Sequence, residues 1–460
     1  MNRGFYTVMA AQFFSSLADN AMLIAALALL QELHAPDSMR PMLKLFFFVS
    51  YVALAAFVGA YADSRPKGRV MFYTNGIKLA GGALMLVGIH PLLAYAVIGF
   101  GAASYSPAKY GIVTELLPPE MLVAANGWIE TLTVASIVLG SSVGGILVST
   151  RISSVLVAFL HLPPGWHMSA SQAAIGLICL LYGVAAAINL LIPDTGVRYP
   201  EQKLAPRLLL ARFAFCVKTL WVDKLGQISL AVTTLFWGAG ATLQLLVIAW
   251  SQHALGMGLS KAAVLQSVTA IGVALGAVIA ALRVSLRQSF TVLPYGVAMG
   301  LVVVAIALVD FRSFPPGGIT VGTMTFGWAT LLAAALMMLI GALAGYFIVP
   351  MNALLQHRGY VLLSAGNSIA VQNFNENLGI LFMAGAYTLL IVAGMTIKMT
   401  MITFGLFVAA AMGLVILRHR SNQRGFDAVA LIGDTHHGVA TEAAAQACAS
   451  TGSGTPGSGA

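Results

Sequence analysis

The sequence predicts an all-α integral membrane protein whose twelve transmembrane helices form two pseudo-symmetric six-helix halves. Three observations carry that expectation. Hydrophobic residues make up 59% of the 460 and charged residues only 8%. A soluble domain carries about 25% charged residues, so most of this surface must face lipid rather than water. Apolar runs near the roughly 20 residues that a spanning helix needs recur twelve times. The two halves of the chain also share a rhythm: Pro107 is followed by Asn126 in AANG, and Pro350 by Asn367 in SAGN. A parallel six-plus-six repeat leaves that kind of trace.

The runs lie near 5–33, 42–62, 70–89, 92–113, 123–149 and 170–192, then near 225–250, 262–283, 290–309, 325–349, 365–392 and 396–417. Residues 1–192 are therefore expected to form an N-terminal bundle and 225–420 a C-terminal one. The stretch 193–224 reads as a cytoplasmic linker. The tail 421–460 is rich in Ala, Gly, Ser and Thr, cannot bury a core, and is expected to be disordered. Pro107 and Pro350 interrupt their runs, which a membrane helix tolerates where neighbours satisfy the freed carbonyl. The first run is too long for the apolar core of a cleaved signal peptide.

The net charge of +9 does not call for nucleic acid, because the basic residues sit between apolar runs. With both termini placed in the cytoplasm, 17 of the 24 Lys and Arg residues fall on that side, among them Arg65, Lys67, Arg69 and the six of the linker. Six fall opposite and Lys78 lies inside a span. The positive-inside bias thus puts both termini in the cytoplasm, facing anionic lipid heads. Cys179, Cys216 and Cys448 show no paired spacing. Phosphate loops, nucleophile–base pairs and metal-ligand clusters are missing from the sequence, so neither enzyme chemistry, a cofactor, a metal nor ATP-driven transport is expected.

The loop after the second run reads Gly59-Ala-Tyr-Ala-Asp63-Ser-Arg65-Pro-Lys67-Gly68-Arg69. It resembles the signature loop of the major facilitator superfamily, with two extra residues between Asp63 and Gly68. Gly68 suits a tight turn, Asp63 can accept hydrogen bonds from a neighbouring helix N-terminus, and Arg65 and Arg69 suit the headgroup level. Its expected role is gating; the plainer reading is an ordinary basic inner loop.

Polar groups inside spans are costly unless paired or wet. Gln12, Ser15, Ser16 and Asp19 share one face of the first span, with Asn20 beside them. Asn126, Glu130 and Thr133 share a face of the fifth, and Asn373, Glu376 and Asn377 a face of the eleventh, with Gln372 adjacent. Three such stripes suggest a common aqueous cavity. Interhelical hydrogen bonding accounts for Ser and Asn equally well, but poorly for Asp19, Glu130 and Glu376. Lys109 could pair with Asp19 or Glu130, or meet a phosphate; it could also be a topogenic charge. Lys78 could snorkel, though a buried pair suits its mid-span position better. The spacings Gly140/Gly144, Ser141/Gly145, Gly272/Gly276 and Gly341/Gly345 allow close helix approach.

The segments AQFFSSLADNAMLIAALALL, GAASYSPAKYGIVTELLPPE, LVAANGWIE, LFWGAGATL, VPMNALLQHRG and AGNSIAVQNFNEN together closely resemble the bacterial lysophospholipid transporter family of the major facilitator superfamily. The resemblance extends to about Arg420. It implies inward movement of lysophosphatidylethanolamine and lysophosphatidylglycerol across a Gram-negative inner membrane. It also implies a separate acyltransferase partner that reacylates them. The family's DN pair falls on Asp19-Asn20, its SPAK lysine on Lys109, and its QNxxEN cluster on Gln372, Asn373, Glu376 and Asn377. In one departure, Gln244 stands where the resembling proteins carry an arginine, which puts a phosphate contact there in doubt. The competing expectations are a drug or metabolite exporter of the same fold, driven by proton exchange at Asp19 or Glu376, and a non-transporting receptor or scaffold.

Overall fold

A computed structural model describes residues 1–36, 39–149, 169–199, 205–315, 317–321, 324–424 and 428–432. Six membrane elements precede the linker: α1 (Arg3–Glu32), the pair α2 (Met39–Ala53) and α3 (Ala55–Asp63), α4 (Lys67–Leu86), α5 (Pro91–Leu116), α6 (Leu122–Val148) and α7 (Ala170–Leu190). The linker holds α8 (Pro206–Val222). Six more follow: α9 (Gly226–Leu255), α10 (Leu259–Arg283), α11 (Leu293–Leu308), α12 (Trp328–Leu362), α13 (Ala365–Val392) and α14 (Ile397–Gln423).

Local signals set the ends. The Asn2 side chain caps α1 by accepting from the Phe5 N–H at 2.9 Å. Pro91 opens α5, where its missing N–H leaves no donor unpaired. Ser169 and Gln172 form a capping box at α7. Gly256, at φ +61°, closes α9 in the left-handed conformation.

Among the described residues nine helices are long and apolar enough to cross a membrane, and α2–α3 is a tenth span bent by 64°. The two remaining elements, α4 and α5, have 20 and 26 residues, enough for about 30 Å of bilayer core. Their lower hydropathy has a local cause: Thr74, Asn75, Lys78, Ser104 and Ser106 are buried against protein rather than lipid.

Three details depart from the sequence reading. The tenth span does not stop at Pro350 but runs on to Leu362, with the proline inside the helix and fully packed. The α11–α12 loop holds an antiparallel hairpin, Gly318–Val321 with Met324–Gly327, in an otherwise helical chain; its run of Ile, Thr and Val favours extended backbone. Helix α14 continues to Gln423, and a 3₁₀ turn at Ala428–Leu431 follows. The rest of the expected tail, from 433 onward, lies outside the described residues.

The halves meet along two matching seams, α3 with α13 and α6 with α10. Counted as spans these are second with eleventh and fifth with eighth. Exchanging the two halves turns each seam into the other, as a pseudo-two-fold axis requires. Within the C-terminal half, α10 and α12 touch backbone to backbone. A Cβ at Gly276 would strike the Ala342 carbonyl, and one at Gly345 the Val273 carbonyl. Gly140 and Gly144 serve α6 against α1 in the same way, whereas Gly145 faces open space, so the Ser141/Gly145 spacing is not a packing seam. Gly345→Val should therefore lower the thermal midpoint and membrane abundance sharply, since overpacking costs about 1–3 kcal/mol or more. Gly145→Ala should change neither, as measured by fluorescence-detected size exclusion after heating.

Candidate substrate pathway and its gate

The carboxylate of Asp19, midway along α1, is held on both oxygens. Lys78 Nζ of α4 lies 2.8 Å from Oδ2, and the Tyr182 hydroxyl of α7 donates to Oδ1 at 2.8 Å. Lys78 also donates to Ser15 Oγ at 3.0 Å, and Ser15 donates to Asn75 Oδ1 at 2.8 Å. The ammonium sits 4.8 Å from the Tyr105 ring centre and 5.7 Å from that of Tyr182. The Lys78 side chain is 1% exposed and that of Asp19 20%. Asp19 thus pairs with Lys78 and not with Lys109: α7 packs on both α1 and α4, bringing Tyr182 and Lys78 to Asp19. The α1 stripe is split, because Gln12 turns to α6 and reaches Thr133 Oγ1 at 3.4 Å, while Asn20 bonds back to the Ser16 carbonyl.

A second cluster lies where α5, α6 and α13 approach one another. Lys109 lies within electrostatic reach of Lys78, Asp19, Glu130 and Glu376. Its ammonium rests 4.0 Å from the Tyr110 ring centre and makes no hydrogen bond or ion pair among the described residues. Glu130 is 7% exposed and likewise has no donor bound to its carboxylate among them. Glu376, equally buried, accepts from Gln372 Nε2 at 2.7 Å, and that same nitrogen donates to Asn352 Oδ1 at 3.1 Å. Tyr51 and Tyr110 stand beside these carboxylates.

The end of the bundle at which α1 begins and α14 ends is shut. Asp63 accepts from Ser364 Oγ at 2.5 Å, from Gly366 N at 2.9 Å and from Asn367 N and Nδ2, both at 3.3 Å. It therefore caps α13 of the opposite half. Lys67 Nζ lies 2.6 Å from Asp63 and 3.5 Å from Glu115. Deeper in, Asn126 and Gln356 exchange two amide hydrogen bonds of 2.9 Å, and Asn373 Nδ2 donates to Ser106 Oγ at 2.9 Å. Gly59 permits the crossing, because a Cβ there would lie 2.9 Å from the Asn367 Cα. Below Asp63 a cavity of about 100 Å³ is walled by the strap that follows α7. Thr195 donates to Glu115 Oε2 at 2.7 Å and Tyr199 to Oε1 at 2.9 Å. Burial, and then the Glu115 carboxylate, push the Tyr199 phenol pKa far up, so that it remains a donor. Arg358 closes the C-terminal side with a two-point contact to Asp223 at 2.7 and 3.2 Å.

The structure divides the residues singled out from sequence. Asp19, Lys109, Glu130 and Glu376 converge, with Gln372 attached. Asn126, Asn373, Gly59 and Asp63 belong to the seam between halves. Asn20 and Asn377 bond to carbonyls of their own helices. Gly68 packs on the end of α7, while Arg65 lies over Tyr73 and Arg69 is exposed. Gln244 is exposed on the α9 face of Thr233, Trp237 and Gly240, without a hydrogen bond among the described residues. Sequence reasoning missed Tyr182, Gln356, Ser364, Glu115 and Tyr199. For Gln356 a signal existed, as an amide inside an apolar run.

Comparison with known proteins agrees with this architecture. Residues 8–384 match the Major Facilitator Superfamily profile. The chain is 40% identical over 395 residues to the lysophospholipid transporter LplT of Yersinia pestis, covering 86% of this chain and 88% of that one. The LplT of Yersinia pseudotuberculosis matches to the same extent. Among solved structures, a bacterial homologue of the iron transporter ferroportin in its outward-facing state superposes with a TM-score of 0.66 at 14% identity, covering 91% of this chain and 100% of that one. The transporter FucP in its outward conformation gives 0.63 at 15% identity, covering 91% and 98%. With matched seams between its halves and relatives of this similarity, the chain belongs to the major facilitator superfamily and, within it, to the LplT family.

Proposed function

We propose that this multi-pass membrane transporter carries lysophospholipids, such as lysophosphatidylethanolamine and lysophosphatidylglycerol, inward across a bacterial inner membrane. The observation that carries this reading is one uncommitted cation and one uncommitted anion in the same buried region, Lys109 and Glu130. A lysophosphatidylethanolamine head bears a phosphate and an ammonium, and each meets an opposite charge there without first breaking an ion pair. The exposed side of Asp19 and the neutral Gln244 extend the polar surface. The relatives named lysophospholipid transporter support the substrate class. The basic loop around Lys67 supports placing the shut end, with both termini, in the cytoplasm. The structure then corresponds to a state closed toward the cytoplasm, ready to accept lipid from the outer leaflet. The halves 1–192 and 225–420 rock about the α3–α13 and α6–α10 seams, joined by 193–224. A separate acyltransferase would consume the delivered lipid.

The test is uptake of labelled lysolipid into proteoliposomes. Lys109→Gln should lower uptake of both lysolipids about 10-fold or more, the usual effect of removing a charge-assisted contact in a low-dielectric site. Uptake that stays within two-fold of the parent, at equal protein content, would take Lys109 out of the headgroup site. Equal uptake of a two-chain phospholipid would defeat the substrate assignment.

A further inference from the structure

The cluster around Glu376 holds more acceptors than donors. Gln372 Nε2 serves both Asn352 Oδ1 and Glu376 Oε1, which fixes the orientation of the amide. Its Oε1 is therefore an acceptor, it is buried, and it has no hydrogen-bond partner. A buried unsatisfied acceptor costs about 1–3 kcal/mol, a carboxylate stands beside it, and the second carboxylate, Glu130, lies within electrostatic reach with no donor of its own. The charged and titratable groups facing Glu376 are Lys109 and Tyr110 from α5, Glu130 from α6 and Tyr51 from α2. From helices α9 and α12 come the neutral Thr233 and Asn352. The nearby cation Lys109 rests on the face of Tyr110 instead. Among the described residues no group of three His, Cys, Asp or Glu side chains is placed to hold a metal. Carboxylate and amide oxygens are hard donors, which suit a hard cation rather than a soft transition metal.

We propose that Glu376 and Gln372 Oε1, with Glu130 adding its field, form a site for a monovalent coupling cation, a proton or Na⁺. The site lies on α13, whose N-terminus Asp63 holds and whose Asn373 is bonded to Ser106 of the other half. Filling it neutralises one of two like charges that face each other across the halves, so occupancy biases the equilibrium between their arrangements. This deepens the lysolipid reading, since a bound cation would couple inward lipid movement to an ion gradient, but the site can be read without lipid.

The experiment follows intrinsic tryptophan fluorescence of the purified full-length protein in detergent. One arm titrates NaCl against choline chloride at fixed pH and ionic strength, and the other titrates pH in choline. The expected result is a saturable response in one arm, which names the cation, weakened about 10-fold or more in Glu376→Gln, as for loss of a cation ligand. Glu130→Gln removes a group that holds no structural hydrogen bond, so its folding does not depend on what is removed, and it should weaken the same response. No response in either arm, or a response that both variants keep at parent strength, would overturn the site. A cation response in a protein that takes up no lysolipid would leave this site standing and reject the lipid reading.

Discussion

Lys78→Met should nearly empty the membrane of this protein, and Asp19→Asn in the same chain should bring it back. The lysine is 1% exposed and its ammonium touches Asp19, Ser15 and two aromatic faces. Removing it leaves the Asp19 carboxylate with only the Tyr182 hydroxyl in a region of low dielectric. Breaking one side of a buried pair costs about 3–5 kcal/mol, a large part of the stability of an ordinary domain. Neutralising both partners removes the uncompensated charge, so the double variant should recover most of the abundance. Quantitative blotting of membranes, with uptake normalised to it, gives both readouts. If Lys78→Met alone inserts at parent abundance, the pair contributes little and Asp19 is stabilised by water. Reversing Asp19 with Lys109 should rescue nothing, because those two residues do not touch.

Asp63→Ala should shift the resting protein away from its closed end and lower lysolipid uptake about 100-fold. Asp63 accepts four hydrogen bonds from the start of α13 and pairs with Lys67, whose side chain is 3% exposed. Its loss leaves Lys67 buried with the more distant Glu115 carboxylate, at 3.5 Å, and the Ala62 carbonyl, and uncaps the first turn of α13. A bias of about 3 kcal/mol is a factor of more than 100 in the population of the two arrangements. A cysteine placed at Ala365, which is 2% exposed, should be inert to maleimide in the parent and react readily in the Asp63→Ala background. Equal labelling in both backgrounds would show that the remaining cross-half contacts hold the end shut by themselves.

The fold was legible because its signal is additive: each span is a long apolar run, and no single residue decides it. The second span hides its bend at Leu54 because nothing in its composition marks the break. The site was legible only as a set of polar positions. Helical periodicity told which of them share a face but not which helix that face meets. The sequence offered Lys109 to Asp19 and left the partner of Lys78 open; only the packing of α7 on both α1 and α4 brings Lys78 to Asp19. For the same reason Asn126 reads as a cavity residue in sequence and is an amide clasp in three dimensions. Its partner Gln356 lies 230 residues away.

The linker helix has a consequence for where this chain tolerates being lengthened. Through Cys216 and Leu220, α8 packs on Leu230, Leu355 and Val371, and Trp221 donates to Asn375 at 3.3 Å, all in the C-terminal half. The strap through Thr195 and Tyr199 is fastened to Glu115 in the N-terminal half. The linker is therefore fastened twice, the strap to the N-terminal half and α8 to helices of the C-terminal half as well as to α3. A reporter inserted after Pro206 would have to pull α8 off the helices that hold it, and one inserted in the strap would have to break its bonds to Glu115, so neither fastened stretch is the place to lengthen the chain.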